Sequence, residues 1–322
     1  MNDDSNPVPQ QREPHAAPQQ PALPQPIGEL FIQAGLMTPE QVKEVLELQR
    51  KTQLRFGQAA IQLGFVSQQD VQAVLSRHFN YPTTLTEQEG PIRRLAIANA
   101  PFSPEAEAIR RIRSNLTVLF NEQASMAFAV VSPRAGEGKS YLSASLALAF
   151  SQTGIRTLLV NANLRSAGQV GIGDLRGRRD IGLSTMLSGR TPVSVEQPLA
   201  SFPNLYLLDA GPQPPNPLEI LSEPNLRKFL QPLREQYYVI VVDTPPGLES
   251  SDAQVIARQL DGCLMVARKD MTWLSDLRQL EHMMLAAGVR VLGTVYNAAP
   301  LKPSGRQQPS EARSRQATLQ TA

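Results

Sequence analysis

The sequence predicts an α/β fold: a doubly wound, mostly parallel sheet with a small helical domain ahead of it. Three observations carry this. From Ala127 onward, short apolar runs alternate with helix-patterned segments, as in a parallel sheet covered on both faces. The glycine-rich run Gly136-Glu137-Gly138-Lys139-Ser140 stands between the first such strand and the first such helix. Upstream, residues 27–78 repeat themselves at an offset of 29 residues.

The strands are expected at Ala127–Val131, Thr157–Val160, Leu205–Leu208, Tyr238–Val242, Gly262–Ala267 and Val289–Val295. Helices are expected at Tyr141–Gln152 and near 217–235, 252–260 and 274–287. Gly136 and Gly138 let backbone N–H groups turn toward a phosphate without a Cβ clash. The helix starting near Lys139 aims its positive end at the same anion. This is a P-loop, and the ligand it implies is ATP with Mg²⁺. Gly136, Glu137, Gly138, Lys139, Ser140 and Tyr141 form the expected nucleotide-binding set. Lys139 is placed to reach the β- and γ-phosphates, and Ser140 to offer its hydroxyl to the metal. The common pattern has Gly six residues before the lysine, where this chain has Pro133. The apolar run Tyr238–Val242 ends in Asp243, followed by Thr244-Pro245-Pro246. That is a Walker B arrangement, with the carboxylate at a strand end beside the metal.

Composition bounds the rest. The chain has 322 residues and 41% hydrophobic content, enough for a sizeable core. A net charge of +2 gives no global field toward nucleic acid, and no nucleic-acid partner is expected. The lone Cys263 lies in an apolar run and reads as a buried strand thiol in a reducing compartment. The Met-Asn-Asp-Asp start lacks the basic and apolar regions of a secretory signal. With no run of about 18 apolar residues, a cytoplasmic location is expected, peripheral to the inner membrane only through a partner.

Five segments are expected: a Pro/Gln-rich disordered tail at 1–26, a duplicated helical domain at 27–80, a linker at 81–103, the nucleotide-binding domain at 104–298, and a disordered basic tail at 299–322. In the repeat, Ile27-Gly28 aligns with Phe56-Gly57, Gly35 with Gly64, Thr38 with Ser67 and Val42 with Val71. Gly35 and Gly64 suit the left-handed residue that ends a helix. Thr38 with Gln41, and Ser67 with Asp70, then cap the next helices. The repeat resembles the N-terminal domain of type II secretion and pilus ATPases, some of which bind cyclic di-GMP through tandem Arg-Leu-Gly motifs. Here the second copy has Arg55-Phe56-Gly57, but the first has Pro26-Ile27-Gly28, and His78 stands where a Gln is expected. Docking or packing is therefore favoured over cyclic di-GMP binding.

Further motifs combine with the P-loop: Glu107-x-x-Arg110-x-x-Arg113, Gly211-Pro212-x-Pro214-Pro215-Asn216-Pro217, Ser251-Asp252-Ala253 and Leu292-Gly293-Thr294-Val295-Tyr296-Asn297. The set resembles the bacterial tyrosine kinases of the polysaccharide co-polymerase system. With the duplicated N-terminal domain, it looks most like the chain-length-determinant kinases of exopolysaccharide clusters. The resemblance implies a cytoplasmic protein-tyrosine kinase related to ParA and MinD ATPases, homo-oligomeric, and partnered by a membrane polysaccharide co-polymerase. It implies ring formation through Glu107, Arg110 and Arg113.

Two departures stand out. Where the family carries the Asp-x-Asp of its Walker A′ motif, this chain has Asn161-Ala162-Asn163. By that resemblance Lys139, Asp243, Asn161 and Asn163 occupy the catalytic positions, and Ser140 and Asp243 the metal positions. An amide is neutral and cannot accept a proton as a base. The tail also lacks the family's tyrosine cluster, since the last tyrosine is Tyr296. The sequence leaves two main readings: a protein-tyrosine kinase acting on other proteins, or a catalytically degenerate, nucleotide-responsive regulatory subunit. A MinD-like ATPase is a third, disfavoured because Arg134 stands where those ATPases have a lysine.

Overall fold

The computed structural model describes residues 26–74, 92–165 and 181–298, apart from positions 53, 68, 69, 72, 122, 194, 196, 197, 200 and 223. The expected tail at 1–26 apart from Pro26, the expected tail at 299–322, and His78 lie outside the described residues. The chain divides into two compact units, Met1–Thr83 and Thr84–Ala322.

In the first unit, helices α1 (Ile27–Gln33), α2 (Pro39–Thr52) and α3 (Phe56–Gln62) are described. Gly35 and Gly64 take φ of 69° and 72°, the left-handed turn that only glycine adopts at little cost. The Thr38 N–H donates to Gln41 Oε1 at 2.8 Å, and the Gln41 N–H to Thr38 Oγ1 at 3.3 Å. The same reciprocal cap recurs between Ser67 and Asp70. The two copies share one apolar cluster that includes Phe31, Val45, Phe56, Ala59 and Val74, with Phe31 and Phe56 rings 5.6 Å apart. The repeat explains two glycines. A Cβ on Gly28 would stand 2.6 Å from Val42 Cγ1, and one on Gly57 2.7 Å from Val71 Cγ1. Each glycine lets one helix lie directly against a valine of the next. Gly57→Leu is therefore expected to destabilise this unit by about 1–3 kcal/mol, because overpacking forces the helices apart. A denaturant midpoint unchanged from wild type would contradict that.

The second unit holds a six-stranded sheet in the order β3-β2-β4-β1-β5-β6. The strands are β1 (Met126–Val131), β2 (Thr157–Asn161), β3 (Leu205–Leu208), β4 (Val239–Asp243), β5 (Cys263–Arg268) and β6 (Val291–Asn297). Neighbouring strands within this sheet pair in parallel. Side chains alternate between the two faces, as strand geometry requires. Phe128, Val130, Val239 and Val241 join a cluster with α4 (Ala96–Asn99), α5 (Pro104–Leu119) and α6 (Lys139–Ser151). On the other face, Leu158, Val160, Ile240 and Val242 pack with Leu183 and Met186 of α7 (Leu183–Leu187) and with Leu226, Phe229 and Leu233 of α9 (Asn225–Gln236). Ala129, Val131 and Met265 pack with α10 (Asp252–Arg258) and α11 (Leu274–Ala286). Cys263 is fully buried there, and burial pushes its thiol up to about 12.

Two local expectations change. The helix expected near 217–235 is split into α8 (Pro217–Leu221) and α9, with Pro224 between them. Proline lacks an N–H and disfavours helical backbone in the residue before it. Of the stretch expected as a linker at 81–103, residues 81–91 lie outside the described residues, and the rest holds a 3₁₀ turn at Ile92–Arg94 followed by α4. Ile92, Leu95 and Ile97 are at most 1% exposed and belong to the main core. Prolines signalled a break, but three apolar anchors spaced two to three apart outweighed it.

This topology fixes where a ligand site can form. From β1 the chain crosses β4 to reach β2, and from β4 it crosses β1 to reach β5. Neighbouring strands β1 and β4 thus send their connections in opposite directions, which opens a crevice at their carboxyl ends. The glycine-rich loop follows β1, and Asp243 ends β4.

Candidate nucleotide site

The loop between β1 and α6 is shaped by two left-handed glycines, Gly136 at φ 80° and Gly138 at φ 104°. Gly138 caps α6, and Lys139 is its first residue. Lys139 is 6% exposed, and its ammonium donates to Ser132 Oγ at 3.0 Å and to the Arg134 carbonyl at 3.1 Å. Burial pulls its pKa down, while Asp243, Glu137 and Glu249 oppose that. A buried cation with only partial compensation is primed for an anionic ligand.

Asp243 faces this loop from β4 and is 2% exposed. Burial pushes its carboxyl up to about 6, against hydrogen bonds from Ser140 and Ser143 and the charge of Lys139. The Ser143 hydroxyl lies 2.9 Å from the Lys139 carbonyl and 3.4 Å from Asp243 Oδ1, so its one hydrogen serves mainly the carbonyl. Thr244 anchors the strand end by donating to the Val130 carbonyl at 2.7 Å. The N–H groups of Gly247 and Leu248 donate to the carbonyls of Ser132 and Pro133, so the chain after Asp243 backs the loop.

The acid's raised pKa has a stability consequence. In the folded protein the protonated form is favoured, so this stabilisation is present below about pH 4 and is lost as pH rises through about 6. Asp243→Asn removes the buried charge. At pH 8 the nucleotide-free variant is expected to be more stable than wild type by about 1–3 kcal/mol, the gain fading toward pH 4. Denaturant titration at the two pH values checks this, and a variant less stable at pH 8 would contradict it.

Asn161 pairs with Asp243 in the parallel register, which brings it into the same crevice at 9% exposure. Its Oδ1 accepts from the Asn163 N–H at 3.1 Å. Asn163 Oδ1 is buried with no hydrogen-bond partner. Arg165 then makes a two-pronged pair with Asp252 of α10, at 2.7 and 2.9 Å, and Asp252 is fully buried. This pair, absent from the sequence-level site, ties the segment after β2 to a neighbouring helix. Its one sequence signal was the Ser251-Asp252-Ala253 motif.

The structure sorts the other expected residues. Glu137 is fully buried, and its carboxylate accepts from the Arg134 N–H at 2.7 Å and the Thr272 hydroxyl at 2.5 Å. Its side chain therefore braces the loop, leaving only its backbone for a phosphate. The Tyr141 hydroxyl accepts from the Ala96 N–H at 2.9 Å, on the α4 side, and burial pushes it up to about 12. Arg134 points outward to Asp276 at 2.6 Å. On α5, Glu107 is exposed, Arg110 reaches the Pro101 carbonyl, and Arg113 donates to the Ala149 carbonyl at 3.0 Å.

A hydroxyl, a carboxylate and a buried ammonium thus converge on a glycine cradle at a helix N-terminus. The buried, unpartnered Asn163 oxygen adds an acceptor for a metal-bound water, so these residues fit a nucleotide with Mg²⁺. Fold and loop together define a P-loop nucleotide-binding α/β protein. The putative tyrosine-protein kinase CapB of Staphylococcus aureus is 32% identical over 217 residues, covering 67% of this chain and 94% of that protein. The chain belongs to the bacterial tyrosine-protein kinase family. The putative tyrosine-protein kinase EpsB of Ralstonia nicotianae is 30% identical over 205 residues, which span 63% of this chain but 27% of EpsB. The kinase domain of the Escherichia coli tyrosine kinase ETK superposes with a TM-score of 0.58 at 26% identity, covering 66% of this chain and 84% of that domain. No family model matches the chain. Among the described residues, no helix is long and apolar enough to cross a membrane.

Proposed function

We propose that this chain is an ATP- and Mg²⁺-binding, kinase-like protein that controls chain length in exopolysaccharide biosynthesis and export. The observation that carries the nucleotide part is the meeting of Lys139, Ser140 and Asp243 at the β1/β4 crevice. In this reading, the loop amides and Lys139 hold the phosphates, and Ser140 and Asp243 hold the metal. Bound Mg²⁺ would neutralise phosphate charge. The polysaccharide part rests on the combined motifs and on membership of the kinase family. The proposed partner is a membrane polysaccharide co-polymerase, which would bring a cytoplasmic chain to the inner membrane. The proposed domain division, with a duplicated helical module ahead of the kinase-like domain, gives that module a docking or packing role.

Self-assembly through α5 is part of the proposal. Glu107 and Val118, the latter 76% exposed, face outward for it. Arg113 also holds α5 onto α6, while Arg110 folds back on the turn that precedes α5.

A second reading is favoured by a specific observation: Asn161 and Asn163 stand where the family resemblance places carboxylates. The chain would then bind nucleotide and signal its state with little phosphotransfer. Purified full-length protein with labelled ATP, Mg²⁺ and tyrosine-containing acceptors separates the two. Lys139-dependent tyrosine phosphorylation by wild type establishes the kinase. Nucleotide binding without phosphorylation establishes the regulator, and failure to bind any nucleotide overturns both.

A further inference from the structure

The loop's outward side is held by residues from the far edge of the sheet. Arg268, the last residue of β5, donates from Nη1 to the Gly136 carbonyl at 2.6 Å. Asn297, the last residue of β6, donates from Nδ2 to the Glu137 carbonyl at 3.0 Å. The two strand ends are themselves locked, because they pair in register and the Lys269 N–H donates to the Asn297 carbonyl at 2.9 Å. The turn after β5 is tight: Asp270 takes a left-handed φ of 58°, and the Thr272 hydroxyl accepts from the Arg268 N–H at 2.8 Å while donating to Glu137.

A trans peptide points its C=O and its N–H in opposite directions. Pulling the Gly136 carbonyl outward therefore turns the Glu137 N–H inward, and pulling the Glu137 carbonyl outward does the same for the Gly138 N–H. We propose that Arg268 and Asn297 are positioning residues that aim the Glu137 and Gly138 amides at the bound phosphates. Gly138 is part of the device, since a Cβ there would collide with the Asn297 amide nitrogen. The arrangement also makes the cradle depend on the β5–β6 edge, although neither strand contributes a residue to the loop. This inference rests on the nucleotide reading of the same site.

Calorimetric titration of the full chain with ATP, GTP and inorganic triphosphate, each with Mg²⁺, tests it. Arg268→Ala and Asn297→Leu are expected to weaken all three ligands alike, by about tenfold each, because an aimed amide on a phosphate is a charge-assisted hydrogen bond. Arg268→Lys, which keeps a donor, is expected to recover most of the affinity. Loss confined to ATP, with triphosphate unaffected, would make the residues base contacts and overturn the positioning role. Variants that bind triphosphate as wild type does would overturn it too. Where a variant melts well below wild type, the Lys substitution decides: triphosphate affinity no better than in Arg268→Ala counts against the proposal. A wild type that binds neither ATP nor triphosphate defeats the nucleotide reading along with it.

Discussion

Lys139→Ala is expected to lower Mg²⁺-ATP affinity by about 100-fold, with little loss of stability in the nucleotide-free protein. The ligand effect has two parts. An ammonium–phosphate contact is charge-assisted and worth about 1.5–3 kcal/mol, or roughly tenfold to a hundredfold. Lys139 also lowers the pKa of Asp243, which burial has already raised to about 6. Without that charge the acid rises further, so more of it is protonated near neutral pH and less is available to a metal. The stability effect runs the other way. Burial penalises the Lys139 charge, and the charges of Asp243, Glu137 and Glu249 offset part of this. Deleting the ammonium removes that cost while stranding part of the Asp243 charge, and the two changes offset. Calorimetry and a melting curve on the same samples check both halves. Affinity within twofold of wild type would remove Lys139 from the site.

The paired change Asn161→Asp, Asn163→Asp is expected to raise tyrosine phosphotransfer by about 10²–10⁴-fold, the usual worth of a general base. It should also make the nucleotide-free protein less stable at pH 8, by about 1–3 kcal/mol. Asn161 stands in register beside Asp243, and both are nearly buried. A second carboxylate there adds like-charge repulsion to desolvation, and both raise the pKa of the pair. The sign follows: a raised acid stabilises the folded state at low pH and loses that stabilisation as pH rises through its folded pKa. The variant should therefore approach wild-type stability near pH 4 and fall behind at pH 8. Mg²⁺-ATP should return much of the difference by supplying the missing positive charge. Phosphotransfer by wild type equal to that of the double variant would sink the regulatory reading, because the amides would then cost nothing.

Much of the fold was legible because its signals are local. Alternating apolar strands and helices, the glycine loop before Lys139 and the Asp at the end of β4 lie within short windows of sequence. The caps at Thr38 and Ser67 were legible for the same reason: each partner lies three residues away. The break at Pro224 and the buried anchors Ile92, Leu95 and Ile97 were harder, since local punctuation and tertiary packing compete there.

The candidate site divides along the same line. Lys139, Ser140, Asp243 and the amides at 161 and 163 are fixed in identity by the sequence, and the neutral charge of those amides with them. That Glu137 faces inward as a brace and Tyr141 reaches toward α4 is visible once the chain is folded. Only the tertiary structure brought Asp252 to Arg165, 87 residues away, and Arg268 and Asn297 to the loop carbonyls, 132 and 160 residues away. The physical reason is the parallel sheet. Each strand's neighbour is reached through a long crossover, so groups adjacent at the strands' carboxyl ends are remote in the chain. Residue identity alone says that Lys139 is cationic, that Asp243 is acidic and that the amides of Asn161 and Asn163 cannot act as bases. The folded sheet decided which distant residues turn that loop to face its ligand.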